Sequence, residues 1–127
     1  YRQNVMKLSI IIPCYNEERR LNLEVFSNYL ADNPKRSFLF VDDGSIDNTK
    51  NILLKVSKEI PNAHFLSLEQ NVGKAEAVRQ GVIHSKSIIN ATFLGYWDAD
   101  LATPLQQINP MLEVLKNSVL RIQHLKH

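Results

Sequence analysis

A three-layer α/β/α fold around a mostly parallel sheet is predicted by three observations in this sequence. Short apolar, β-rich runs alternate four times with stretches of helical period. Each run ends in a small cluster of polar and turn-forming residues. Alternation of this kind implies right-handed crossovers and a mostly parallel sheet. The clusters then fall at the carboxyl ends of the strands, where ligands of such sheets bind.

The elements follow in order. Residues 8–12 form a continuous apolar run ended by Pro13, which suits a strand buried on both faces. From Glu17 onward, Leu21, Val25, Phe26, Tyr29 and Leu30 recur at helical spacing, and Asn33-Pro34 stops that helix. Residues 37–41 are a second strand, closed by Asp42-Asp43-Gly44-Ser45. Ile52, Leu53, Val56 and Ile60 mark a second helix, with Ser45 or Asp47 as its N-cap and Pro61-Asn62 as its end. Residues 64–68 are a third strand and 73–87 a third helix, in which Ala75, Ala77 and Gly81 allow close packing. Residues 91–97 form a fourth strand with the character of a core strand. Thr103-Pro104-Leu105-Gln106 offers an N-cap, a proline at the first helical position and a capping-box glutamine. Leu105, Ile108, Leu112 and Leu115 continue that last helix.

At 127 residues and 44% apolar content, the chain has room for one compact domain with a core. Its 15 basic and 13 acidic side chains nearly balance, at a net charge of +2, and no basic run or face points to nucleic acid. Cys14 is the single cysteine, so no internal disulfide can form; a small buried residue in a cytoplasmic protein is expected. No apolar run approaches the roughly 20 residues of a membrane helix, and residues 1–6 lack the apolar block of a signal peptide. The sequon Asn90-Ala91-Thr92 leads into the fourth strand and is read as chance.

The chemistry lies in the clusters. Asp98-Ala99-Asp100 can present two carboxylates to one cleft if the chain bends there. Alone they would repel, and one would tend to hold a proton. A hard divalent ion removes that cost, since it accepts carboxylates, phosphate oxygens and water together. The same pair would serve equally well as a turn capping the next helix. Asp42 and Asp43 can accept a base N–H or a ribose hydroxyl, with Gly44 permitting close backbone approach, or can act only as a turn motif. Tyr15 can stack on a nucleobase while Glu17 takes a ribose or base donor; Glu17 also suits a first helical turn. Lys74 is a phosphate partner within Asn71-Val72-Gly73-Lys74, with Arg79 further along the helix. A Walker loop is excluded, because Leu68 stands where its first glycine belongs and Ala75 replaces its Ser/Thr; the dinucleotide glycine fingerprint is absent too. The four histidines show no paired metal-ligand spacing, and Trp97 reads as packing beneath the acidic pair.

Taken together, the strings in 8–17, 41–49 and 71–75, with Asp98-Ala99-Asp100, resemble glycosyltransferase family 2 and its GT-A fold, a Rossmann-like nucleotide-binding architecture. Tyr96-Trp97-Asp98-Ala99-Asp100-Leu101-Ala102-Thr103-Pro104 looks most like the polyprenyl- or dolichyl-phosphate glucosyl- and mannosyltransferases. The resemblance implies an inverting enzyme whose Pro13, Tyr15, Glu17 and Asp43 line a nucleoside pocket, with Asp42 nearby. It implies Mg²⁺ or Mn²⁺ held by Asp98 and Asp100 on the diphosphate of a UDP- or GDP-sugar, Lys74 near the phosphates, and a polyprenyl phosphate or glycan as acceptor. Ala102 stands where mannosyl relatives carry a further metal-ligating glutamine.

Family members continue into an acceptor-binding half that carries the catalytic base and often membrane-associated helices. Residues 1–127 therefore correspond to the nucleotide-sugar-binding part, with the acceptor half absent and the base expected beyond residue 127. The 117–127 segment does not match the strand expected next. Full-length relatives are expected at the cytoplasmic face of a membrane. The competing expectation is a non-catalytic sugar-nucleotide-binding or assembly module, a homo-oligomer built on the exposed sheet edge. A receiver-type signalling domain would need its acidic pair after the first strand, where this chain has Pro13-Cys14-Tyr15-Asn16-Glu17.

Overall fold

The structure, a computed structural model, describes residues 7–89, 91 and 93–111. Strands β1 (Leu8–Cys14), β2 (Arg36–Asp43), β3 (Ala63–Leu68) and β4 (Phe93–Tyr96) alternate with helices α1 (Leu23–Asp32), α2 (Thr49–Glu59) and α3 (Lys74–Ile88). The sheet order is β3-β2-β1-β4, and all three pairings are parallel. The predicted architecture holds.

Alternation along the two central strands divides the core between the sheet's faces. Ile10, Ile12, Phe38 and Phe40 pack with Phe26, Tyr29 and Leu30 of α1 and with Leu53 and Val56 of α2. Phe26 meets both Phe38 and Phe40 edge-on, at centroid distances of 5.5 and 5.3 Å. Ile11, Leu39 and Val41 face the opposite way and meet Ala77 of α3. α3 lies close because Gly81 has no side chain: a Cβ there would stand 2.6 Å from Cγ2 of Ile11. Ala77 is fully buried as expected, whereas Ala75 is exposed and takes no part in that approach.

Several boundaries differ from the sequence reading. α1 begins at Leu23, not near Glu17. The Glu17 carbonyl accepts the N–H groups of Arg20 and Leu21, closing one separate turn, and Asn22 then caps α1 by accepting the Val25 N–H. β2 runs through Asp42 and Asp43, so both aspartates are strand residues rather than the turn that closes the strand. The N-cap position of α2 is Asn48, which makes no side-chain cap bond; the Ser45 hydroxyl is engaged elsewhere, and Asp47 accepts the N–H of Thr49, the first residue of the helix, at 2.9 Å.

β4 is shorter than 91–97, and its Leu94, Gly95 and Tyr96 are exposed. Among the described residues it pairs only with β1, which makes it an edge strand rather than a core strand. After Thr103 the chain enters a 3₁₀ turn at Leu105–Gln107, flanked by an extended Pro104 and without a side-chain cap. The capping box expected at Thr103 is thus not formed, although Leu105 and Ile108 are buried as the pattern required. Leu112, Leu115, the 117–127 tail, residues 1–6 and two of the three sequon positions lie outside the described residues.

Candidate functional site

The order β3-β2-β1-β4 places a topological switch point between β1 and β4: α1 leads from β1 to β2 on one face, and α3 reaches β4 across the other. Ligand crevices form at such points, beyond the carboxyl ends of the strands. A cleft of about 350 Å³ lies there. Every strand end contributes: Pro13, Cys14, Tyr15 and Glu17 after β1, Asp43 from β2, Asn71, Gly73 and Lys74 after β3, and Asp98, Ala99 and Asp100 after β4. Asp42 is not part of its lining.

The turn after β4 answers how two carboxylates can share a face. Asp98 accepts the Leu101 N–H through its carbonyl at 3.1 Å, and Leu101 takes a positive φ of 58°. That bend buries Ala99 and packs Leu101 against the core, while Asp98 and Asp100 line the cleft. Asp100 Oδ1 accepts the Ala102 N–H at 3.0 Å, so this aspartate braces its own loop and does not cap the following helix. Beneath it the Trp97 indole donates to the Thr103 carbonyl at 2.7 Å and packs on the core, the supporting role expected of it.

Lys74, the first residue of α3, donates a hydrogen bond to Asp98 Oδ1. Its ammonium also stands 5.4 Å from the ring centroid of Tyr96. The Asp98 carboxylate holds the lysine's pKa above its ordinary value. Arg79 is not in the cleft; both ends of its guanidinium are taken by Glu76 at 2.8 Å.

The two buried aspartates of β2 organise the rim. Asp43 is 3% exposed; its Oδ1 accepts the Val72 N–H at 2.8 Å, and its Oδ2 accepts the Gly73 N–H and the Asn71 side-chain amide, each at 3.1 Å. Asp42 Oδ1 accepts the Ser45 N–H at 3.2 Å. Just after them Gly44 has a φ of +67°, and a Cβ there would stand 2.4 Å from the backbone of Gln70 and Asn71. Glycine is required there twice over, for its conformation and for space.

A brace between the loops after β1 and β2 was not read from the sequence. Asn16 donates its N–H to the Ser45 hydroxyl and accepts the Ile46 N–H on its side chain, both at 3.0 Å. The Glu17 N–H meets Thr49 Oγ1 at 2.9 Å, and Glu18 and Asp47 each accept a backbone N–H from the other's loop. Desolvation works against the Asp47 carboxylate, but bonds from Thr49 and Glu18 outweigh it and hold its pKa below the ordinary value. These bonds fix Tyr15, 41% exposed, and Glu17 at the cleft wall. The Glu17 carboxylate lies 3.3 Å from the Arg20 guanidinium, and its buried Oε2 has no aligned hydrogen-bond donor. Cys14 is buried, which drives its thiol pKa strongly upward and leaves it no nucleophile.

Among the described residues no three His, Cys, Asp or Glu side chains converge as a metal cage. Two carboxylates beside an open cleft nonetheless suit an ion that completes its shell with water and phosphate oxygens. The Lys74 ammonium is the cation that Asp98 holds among the described residues.

Comparison with known proteins shows the family and the fold. A dolichyl-phosphate beta-glucosyltransferase of Trichomonas vaginalis is 33% identical over 118 residues, covering 87% of this chain and 35% of the relative. The dolichyl-phosphate beta-glucosyltransferase of Saccharomyces cerevisiae is 32% identical over 117 residues, covering 85% and 34%. The chain thus spans about a third of the length of the curated relatives it matches. A solved mannosyltransferase of Pyrobaculum calidifontis, in complex with GDP-Man and Mn²⁺, superposes with a TM-score of 0.61 at 22% identity, over 75% of this chain and 28% of that one, and shares the fold. The family model described as glycosyl transferase family 2 matches residues 9–120, and this chain, with its GT-A fold, belongs to that family.

Proposed function

We propose that this chain is the donor-binding part of an inverting glycosyltransferase, taking a UDP- or GDP-sugar in the cleft with a divalent metal. One observation carries the reading: residues after all four strands meet in a single cleft, with a lysine and two carboxylates together on one wall. Tyr15 would stack on the base, and Pro13 would close that side. Glu17, in the cleft wall beside Arg20, would accept a ribose or base donor. Asp43 already accepts three N–H donors, so it has about one lone-pair direction left for the nucleoside.

Asp98 and Asp100 would hold Mg²⁺ or Mn²⁺, which offsets the charge growing on a departing diphosphate. Lys74 would bind the same phosphates as a point charge. An acceptor oxygen, on a polyprenyl phosphate by likeness to the relatives, would attack the anomeric carbon from the face opposite the nucleotide. The acceptor-binding half, with any base that a hydroxyl acceptor would need, would lie outside residues 1–127; a phosphate acceptor would attack as the anion. Among the described residues no helix is long and apolar enough to cross a membrane.

Calorimetric titration with UDP-glucose and GDP-mannose, with and without Mn²⁺, tests the reading. Metal-dependent binding of one of them is expected, with no turnover of polyprenyl phosphate by these 127 residues. Metal-independent binding, or none, would contradict the donor assignment. Turnover would contradict the division of labour.

A further inference from the structure

The geometry points to Lys74 as an internal counter-ion of Asp98 that moves to the nucleotide's phosphates when a divalent ion takes its place on the carboxylate. The inference rests on the metal-assisted reading above and adds an order to it: metal and nucleotide bind as a coupled pair.

Three observations support it. The Lys74 ammonium is hydrogen-bonded to Asp98 Oδ1, an atom the metal would need. Lys74 is the one cation among the described residues that line the cleft. Arg79 is held by Glu76, and Arg20 lies against Glu17, so neither replaces it. Finally, the lysine and Asp98 are both about half exposed, at 54% and 47%, so the pair can open without uncovering any core.

A hard cation arriving alone must displace the ammonium and leave it only water and the face of Tyr96. A cation arriving with a diphosphate gives the displaced ammonium a new anionic partner. Lys74 therefore weakens binding of metal alone and strengthens binding of metal with nucleotide. Such coupling is reciprocal between the two ligands.

The test measures free Mn²⁺ by electron paramagnetic resonance during titration of the full 127-residue chain, first alone and then with saturating UDP. In Lys74→Met, Mn²⁺ alone should bind more tightly, by up to about fivefold, the most that a half-exposed ion pair is worth. The gain in Mn²⁺ affinity caused by UDP should shrink by at least the same factor. Lys74→Arg keeps the charge and should stay near the unaltered chain, and Lys74→Gln should repeat the Met result; circular dichroism checks that each is folded. Unchanged or weaker binding of Mn²⁺ alone by folded Met and Gln variants would overturn the counter-ion role while leaving the donor site standing. Absence of any Mn²⁺-dependent UDP binding in the unaltered chain would overturn the functional reading, and this inference with it.

Discussion

Asp43 Oδ1 accepts the backbone N–H of Val72 at 2.8 Å, from a carboxylate that is 3% exposed. One strand-end aspartate thereby sets the conformation of the turn that delivers Lys74 to the cleft. The cost of disturbing it is predictable. Asp43→Asn replaces one of the two acceptor oxygens with a donor facing the part-buried N–H groups of Asn71, Val72 and Gly73, and should destabilise the chain by about 1–3 kcal/mol. Urea unfolding reads that loss, and hydrogen exchange should show faster opening at Val72 and Gly73.

The two positive-φ glycines separate space from conformation. A Cβ on Gly44 would stand 2.4 Å from backbone atoms, whereas one on Gly73, at φ +94°, would meet nothing within 4 Å. Gly73→Ala should therefore cost only the backbone strain of a conformation held almost solely by glycine, about 1–3 kcal/mol. Gly44→Ala should cost distinctly more, because rigid backbone must move. Equal midpoints for the two variants in urea would contradict this packing of the loop after β2 on Gln70 and Asn71.

Gly81→Ala sets two effects against each other. Alanine gains about 1 kcal/mol of helix propensity. Its Cβ, however, would lie 2.6 Å from Ile11 Cγ2 and 3.0 Å from Val41 Cγ2 in the core. Overpacking of this kind costs about 1–3 kcal/mol, so a net loss is expected in thermal unfolding. A rise in Tm would mean that α3 lies farther from the sheet.

His64 gives a pH dependence. Partial burial, and then the neighbouring His84, lower its pKa below the ordinary 6.5. The unfolded chain thus binds the proton more readily than the folded one. Stability should be fully present above about pH 6.5 and fall as the pH drops through the lowered folded value. Comparing urea midpoints of the unaltered chain and His64→Gln between pH 5 and 8 checks this; the variant should show the shallower slope.

The sheet and the cleft were legible in the sequence because their signals are periodic and local. Apolar runs such as Leu8-Ser9-Ile10-Ile11-Ile12 and the polar residues after them depend on little else. Helix starts were less legible, because they were decided by contacts across the chain. Glu17 is held out of α1 by Thr49, and Ser45 is drawn from capping α2 by Asn16, in each case by a residue 29 or more positions away. The exposure of β4 was hidden for a similar reason: its apolar composition does not reveal that, among the described residues, only β1 lies beside it. For Asp98 and Asp100, spacing left metal site and turn equally open. The positive φ of Leu101, which helps turn both carboxylates to the cleft, has no signature in the residue itself.

In the proposed function Asp98 and Asp100 would bind a nucleotide-sugar's diphosphate through a divalent ion. Calorimetry of UDP-glucose and GDP-mannose with Mn²⁺, on the unaltered chain and on Asp100→Ala, tests it most directly. Metal-dependent binding by the unaltered chain and its loss in a folded Asp100→Ala variant is the predicted result. Equal affinity in the two proteins would contradict it.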